Sequence, residues 1–486
     1  MTATEEWEQR QAAFVARLGQ ATLTDLERGT IVVLPSASFP VEELTKITGI
    51  QSYEERMLFN TLFLCNPGTR IVYLTSMPVD DAVVEYYLRF VPDPDDARRR
   101  LVLHAVGDPS PVCLTEKLLA RPDAIASIRA LVEDPDDAYV LPFNVTHGER
   151  ALAAALQLPL YGGHPDLAEL GSKTGSRRVA RQAGVAVLEG SEGLRSLGEI
   201  EAAVRDIQAR RPGAEAVVVK LNHGFSGQGN AIVELTGPVP AFPLESSATT
   251  FCAAGESWPA FSAKVAEQGA IVEELVRHEA MVSPSVQLRV APGGAVEVLS
   301  THDQVLGGPD NQVYLGCRFP ADPSYRLAIQ DAGLEVAAVL AAEGVLGSFG
   351  IDFVVLPGTD EAGGHEIYLS EINLRMGGTT HPFWMARLAT GGIYDAGTGE
   401  LRVADGTRTY VATDNLKSER LAGSTPAEVI EAVDKAGLAF DPLSRTGATL
   451  HLLGALPGFG KMGVTCVAET LEDAEALYRE VVAAIA

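Results

Sequence analysis

The chain has 486 residues, 46% of them hydrophobic, which suffices for roughly three domains with sizeable cores. Its 64 acidic and 38 basic residues leave a formal net charge of -26 and a pI near 4.7, which opposes nonspecific binding to nucleic acid or to an anionic membrane. Five scattered cysteines with no CxxC pair argue against a disulfide framework or a structural zinc site and make a reducing cytoplasm the expected compartment.

Met1 to Gln20 places Glu5, Glu6 and Glu8 among Trp7, Phe14, Val15 and Leu18, the pattern of an amphipathic helix; it lacks the charged-then-apolar order of a secretion signal. No run anywhere is long enough to span a bilayer. From Gly29 to about Gly163, the apolar runs at 31–34, 70–74 and 101–103 alternate with helix-like stretches such as Asp80 to Phe90, which predicts a small parallel α/β layer over residues 1–165. No glycine-rich fingerprint follows any of these strands, so the expected role is structural or substrate-side.

Residues 166–403 change to hairpins with glycine turns and isolated helices, an α+β pattern. Ser172-Lys173-Thr174 opens a predicted helix from Gly175 to Gln182, which places Lys173 where a helix N-terminus favours phosphate; an exposed helix-start lysine gives the same pattern. The apolar strand Ala216 to Lys220 runs into a loop containing Gly224, Gly227, Gln228 and Gly229, and a second strand follows. A Rossmann fingerprint needs a helix after its glycines, and a Walker A loop needs Gly-Lys-Ser/Thr, so both are disfavoured. A plain turn stays open, although Lys220 at the end of a buried strand is hard to place unless it meets an anion. Gly237 to Glu256 is a proline- and serine-rich insertion. Ala270 to Val276 is strand-like and leads into Arg277-His278-Glu279, a hinge whose amides could read an adenine edge while Glu279 accepts from ribose hydroxyls; an edge strand with solvated glutamates is the alternative. In Ser285 to Val290, Gln287 and Arg289 share a face, and Arg289 could grip a triphosphate. Asp303 and Gln304, read as a loop, are weaker candidates for a substrate amine, and Leu327 to Ala342 reads as a long helix.

Gly350 to Val355 and Tyr368 to Arg375 flank a glycine-rich turn and read as an antiparallel hairpin. A register centred on the turn sets Leu356 opposite Ile367, Val354 opposite Leu369 and Asp352 opposite Glu371, with Asn373 on the same side. Like charges in direct opposition are unfavourable, and a hard cation between them is the simplest relief. A solvent-facing hairpin whose acids never meet is the other reading. His381, in the following glycine loop, is either a general base or a structural hydrogen-bond partner. Residues 404–486 predict a small appended α/β layer: a helix (426–436), a strand (448–453), a glycine loop (454–463), a strand (464–468) and a helix (473–485).

Taken in order, Lys173, Lys220 with its glycine loop, Glu273-Glu274-Leu275, Arg289, Asp352 and Glu371-Ile372-Asn373 resemble the ATP-grasp superfamily. The three-part layout further resembles the pheganomycin-type peptide ligases. That resemblance implies an α/β and α+β protein: a Rossmann-like pre-ATP-grasp domain (1–165), an ATP-grasp domain (166–403) with a lid at about 185–275, and a small C-terminal domain (404–486). It implies an acyl-phosphate ligase that joins a small, for example guanidino-bearing, amino acid to the amine of a peptide. It assigns Lys173, Lys220, Gly227, Gln228, Gly229, Glu273, Glu274, Leu275 and Glu279 to ATP, and Asp352, Glu371 and Asn373 to Mg²⁺, with two ions expected. It leaves Arg289, Arg375 and His381 for catalysis, and it implies pairing into a homodimer. The rivals are another ATP-grasp carboxylate-amine ligase, making a dipeptide or amidating a metabolite, and a nucleotide-binding protein without turnover.

Overall fold

Four near-continuous apolar runs lie on the N-terminal side of the chain, and strands of that composition belong in a parallel sheet covered on both faces. The computed structural model, which describes residues 3–19, 29–223, 229–235, 242–253, 255–307, 313–358 and 364–485, places them there. Strands β1 (Gly29–Leu34), β2 (Thr69–Thr75), β3 (Leu101–Ala105) and β4 (Ala138–Pro142) pair in parallel in the order β3-β2-β1-β4. The first three match the predicted runs. The helix Ala3–Leu18 turns Trp7, Phe14 and Leu18 into the core. No described helix is long and apolar enough to cross a membrane.

A second sheet contains β5 (Gly190–Leu194), β6 (Ala216–Leu221), β7 (Asn230–Glu234), β8 (Thr249–Phe251) and β9 (Ala270–Glu274), in the antiparallel order β5-β9-β6-β7-β8. Helices Leu197–Arg210 and Trp258–Gln268 bury Ile200, Val204, Ile207, Trp258, Phe261 and Val265 against it. β6 and β7 form the expected hairpin, with Lys220 opposite Asn230. Gly227 and Gln228 lie outside the described residues.

The third sheet begins with β10 (Pro284–Val290), β11 (Val296–Gly307), β12 (Val313–Phe319), β13 (Gly347–Pro357) and β14 (His365–Asn373). It continues through β15 (Ile393–Asp395), β16 (Glu400–Val403), β17 (Gly406–Lys417), β18 (Gly447–His451) and β19 (Lys461–Ala468). Its main path runs β14-β13-β10-β11-β12-β17-β16-β15, and β19 joins β17 to β18. The helix Arg326–Ala342 closes a core over β10 and β13 that includes Val286, Leu288, Ile329, Val336 and Phe353. Gln304 therefore stands in a strand rather than the expected loop.

The predicted boundary at residue 404 falls inside this sheet, because β12 pairs with β17 from Gly316–Thr413 to Phe319–Tyr410. Alternation along β17 shows that one face is buried but not which strand lies alongside it. The predicted glycine loop at 454–463 also differs: it contains the short helix Leu456–Phe459, and β19 starts at Lys461.

Two buried acids tie the N-terminal unit together and to β18–β19. Glu54 accepts from the Ser76 amide and hydroxyl at 2.6 Å each, and Glu55 Oε2 accepts from the Gly454 amide at 2.9 Å. Burial pushes both carboxyls up to about 7. An acid whose folded pKa is raised holds its proton longer in the fold than in the unfolded chain, so stability falls as pH rises from about 4.5 to 7 and then levels off. Glu55→Gln is expected to gain about 1–3 kcal/mol over the natural chain at pH 8, and nothing near pH 4, when chemical-denaturation midpoints are compared. An equal loss at both pH values would contradict this.

Candidate active site

The acid-bearing hairpin sets the floor of the site. Asp352 stands opposite Glu371, and Gly350 opposite Asn373. Beyond that pair the register shifts: Phe353 faces Leu369, Val354 faces Tyr368 and Leu356 faces Glu366, one residue away from the expected Val354–Leu369 and Leu356–Ile367 pairs. The shift leaves Ser370 as an extra residue, a bulge that no composition signal marks.

Asp352 Oδ1 accepts from Gln304 Nε2 at 2.7 Å, and its Oδ2 accepts from Asn373 Nδ2 at 3.0 Å. Burial, reinforced by the Glu371 charge, pushes its carboxyl up to about 7. Glu371 goes the other way. Burial raises it, but Lys173, with Nζ 2.5 Å from Oε1, and Arg375 overcome that and hold it below the usual carboxylate range. Arg375 Nη1 donates to Asn373 Oδ1 at 2.5 Å, so in this structure the amide oxygen faces the guanidinium rather than Asp352. Lys173 is the first residue of the helix Lys173–Gln182, capped by Ser172, and is buried, unlike an exposed helix-start lysine.

The roof comes from the second sheet. Lys220 Nζ donates to Glu273 Oε1, and the other Glu273 oxygen accepts from Arg177 Nη1 at 3.1 Å. Arg177, 1% exposed, also binds Glu192 at 3.1 Å and the Leu188 carbonyl at 3.0 Å, which fixes the roof on the helix that carries Lys173. Glu274 lies 3.2 Å from Arg211. The amides of Glu274 and Leu275 donate to the Glu189 and Ala216 carbonyls within the sheet. The carbonyl of Gly229 accepts from the Leu221 amide.

Roof and floor enclose a cleft of about 540 Å³, lined by Lys173, Lys220, Glu274, Leu275 and Val276 and, on the floor, by Gln287, Asp352, Glu371, Asn373 and Arg375. Gly229, Glu279, Arg289 and His381, all expected at the site, do not line it. Glu279 is exposed on the turn after β9. Arg289 shares a face with Gln287 as read, but β10 carries it beyond the cleft, where it pairs with Glu297 close to Tyr139 and Tyr161. His381 is buried behind the wall, and burial lowers its pKa to about 4.

His381 Nε2 and His451 Nε2 lie 2.9 and 2.8 Å from the same Asp414 oxygen, and Arg56 Nη1 lies 3.3 Å from the other. The set has ligand spacing suited to a metal, but the Arg56 charge on the far oxygen opposes a cation there. Two Nε2–H groups donating to an ionised Asp414 account for every distance, so His381 is a support rather than a base. Gly463 makes the arrangement possible: a Cβ there would come 2.0 Å from His451 Nε2. Tyr53, Arg56, Asp414, Asn415 and Lys461 complete the cleft wall. Sequence reading singled out none of the five, because β17, β19 and the N-terminal unit must assemble before they meet.

Residues 239–396 match the family described as IQCH-like, ATP-grasp, and residues 428–481 match the PGM1 C-terminal domain. An L-propargylglycine–L-glutamate ligase of Streptantibioticus cattleyicolor is 32% identical over 96% of this chain and 97% of its own. The chain belongs to the ATP-grasp ligases. A more distant relative, IQ motif-containing protein H of Danio rerio, is 21% identical over 67% of the chain and 35% of its own length. The fold is also that of a biotin carboxylase from Campylobacter jejuni, with a TM-score of 0.59 at 14% identity over 95% of this chain and 92% of that one. An N5-carboxyaminoimidazole ribonucleotide synthetase gives a TM-score of 0.52, also at 14% identity, over 93% and 96% of the two chains. In this ATP-grasp chain the β5–β9 sheet and the β13–β14 hairpin both line the cleft.

Proposed function

We propose that this ATP-grasp ligase condenses the carboxylate of one amino acid with the amine of another amino acid or peptide through an acyl-phosphate, at the expense of ATP. The observation that carries the reading is one cleft in which opposed acids, Asp352 and Glu371, lie under two lysines, Lys173 and Lys220, with Arg375 beside them. The name of the Streptantibioticus relative specifies a ligase of two amino acids, which supports the same class of reaction.

A carboxylate is a poor electrophile, and phosphorylation turns its oxygen into a leaving group. An oxygen of the donor carboxylate attacks the γ-phosphorus of ATP, the bond from that phosphorus to the β–γ bridging oxygen breaks, and ADP departs. The amine nitrogen then attacks the acyl carbon, the bond to phosphate breaks, and the amine proton passes to solvent or to phosphate. The protein's task is to bring two anions together in line and to neutralise the charge that develops. Lys173 and Lys220 would contact the ATP phosphates, each leaving a carboxylate partner to do so. Arg375 would hold the donor carboxylate and then the acyl-phosphate. Hard oxygen donors of the kind Mg²⁺ takes are present in Asp352, Glu371 and Asn373, and the raised carboxyl of Asp352 reports a repulsion that a cation relieves. Bound there, Mg²⁺ would neutralise phosphate charge.

The test is ADP release by the purified protein with ATP, Mg²⁺ and pairs of amino acids, with mass spectrometry of the products. Release that needs both a carboxylate and an amine, matched by a condensed product, is expected. Equal release without the amine, or ADP without a condensed product, would overturn the reading.

A further inference from the structure

The cleft continues past Arg375 to a corner built from the N-terminal unit and β19, and its charges do not balance. Lys46 is offset by Glu43 at 2.8 Å, and Arg56 by Asp414 at 3.3 Å. Lys461 is 7% exposed, its Nζ meets the Tyr53 hydroxyl at 2.6 Å, and no carboxylate among the described residues lies within ion-pair distance of it. Its cross-strand neighbour is Lys417, so strand pairing supplies no countercharge. A buried ammonium without a counterion is costly unless something else compensates it.

Arg56 is similarly poised. Its guanidinium lies 4.5 Å from the Tyr53 ring centroid and 5.2 Å from that of Phe143, its Nε is buried without a partner, and the carboxylate it reaches is already shared by two histidines. Lys461 Nζ lies 4.9 Å from the same Tyr53 ring. One aromatic ring thus orients two cations. Arg375 lines the same cleft. The lysines assigned to ATP are on the roof and the floor helix, whereas these cations come from the opposite wall.

From this geometry, and resting on the amide-forming reading, we infer that the Tyr53–Arg56–Lys461 corner binds a non-reacting carboxylate of one of the two amino acids being joined. An ammonium and a planar guanidinium within 5 Å of one Tyr53 ring on the wall of one cleft suit a carboxylate and reject a guanidino or amino side chain. The carboxylate is either the α-carboxylate of the acceptor or the side-chain carboxylate of a dicarboxylic amino acid.

L-Glutamate is the probe, because each of its carboxylates can be blocked separately. With the full-length natural chain, calorimetry is expected to detect L-glutamate and to lose it with either L-glutamine or L-isoglutamine; whichever amide fails identifies the carboxylate bound. Equal binding of all three, or no binding of L-glutamate at millimolar concentration, overturns the inference. In turnover, Lys461→Met is expected to raise KM for the carboxylate-bearing substrate about 30-fold or more while KM for ATP and kcat stay within about threefold, and Lys461→Arg is expected to recover most of the loss. An unchanged KM in Lys461→Met, or a loss confined to ATP, overturns it as well. The two readings fail separately. A chain that binds L-glutamate through Lys461 but never releases ADP with any amino-acid pair keeps the subsite and sinks the ligase.

Discussion

Glu371→Gln is expected to lower turnover by about 1,000-fold or more, equivalent to about 4 kcal/mol of transition-state stabilisation, while leaving the fold in place. Two consequences of one substitution combine here. A neutral amide is a weaker ligand than a carboxylate for a hard divalent cation, so the charge on the transferring phosphoryl group would lose its counterweight. Lys173 would also lose the carboxylate now 2.5 Å from its Nζ. Stability should fall only modestly, because relief of the repulsion with Asp352 offsets part of what is lost when Lys173 and Arg375 lose their carboxylate partner. The check is ADP release beside a denaturation curve. Turnover within about tenfold of the natural chain would remove Glu371 from the metal assignment.

Arg177→Met should have the largest effect on stability. The guanidinium is almost wholly enclosed and serves Glu273, Glu192 and the Leu188 carbonyl at once. Deleting the cation leaves carboxylates buried without their partner, which typically costs about 3–5 kcal/mol. Glu273 would keep only Lys220, drawing that lysine more firmly away from the cleft, so KM for ATP should rise in the molecules that remain folded. A denaturant midpoint shift together with a higher KM for ATP is the expected pair of results. An unchanged midpoint would mean that the roof is not anchored through this residue.

Much of this protein was legible in its residues one local segment at a time. Alternation over two residues gave the β6–β7 and β13–β14 hairpins, and the apolar runs gave β1, β2 and β3, because a strand buried on one or both faces must record that burial in its own side chains. The opposition of Asp352 and Glu371 was readable for the same reason: both acids belong to one hairpin, and its turn sets the pairing.

What required the assembled chain was everything decided between segments. The bulge at Ser370 moved the outer pairs by one residue without moving the acids. Arg289 and Gln287 share a face, yet only the assembled chain determines that Gln287 reaches the cleft while Arg289 pairs across β10–β11 with Glu297. The strands after residue 404 extend the central sheet instead of forming their own, since an alternating strand specifies a buried face but not its neighbour. Tyr53, Arg56, Asp414 and Lys461 are spread over some four hundred positions of sequence and become one wall only where β17, β19 and the N-terminal unit meet. Periodicity encodes which side of a segment is hidden; charge balance around a buried group depends on which other segments arrive there, and that is a property of the tertiary fold.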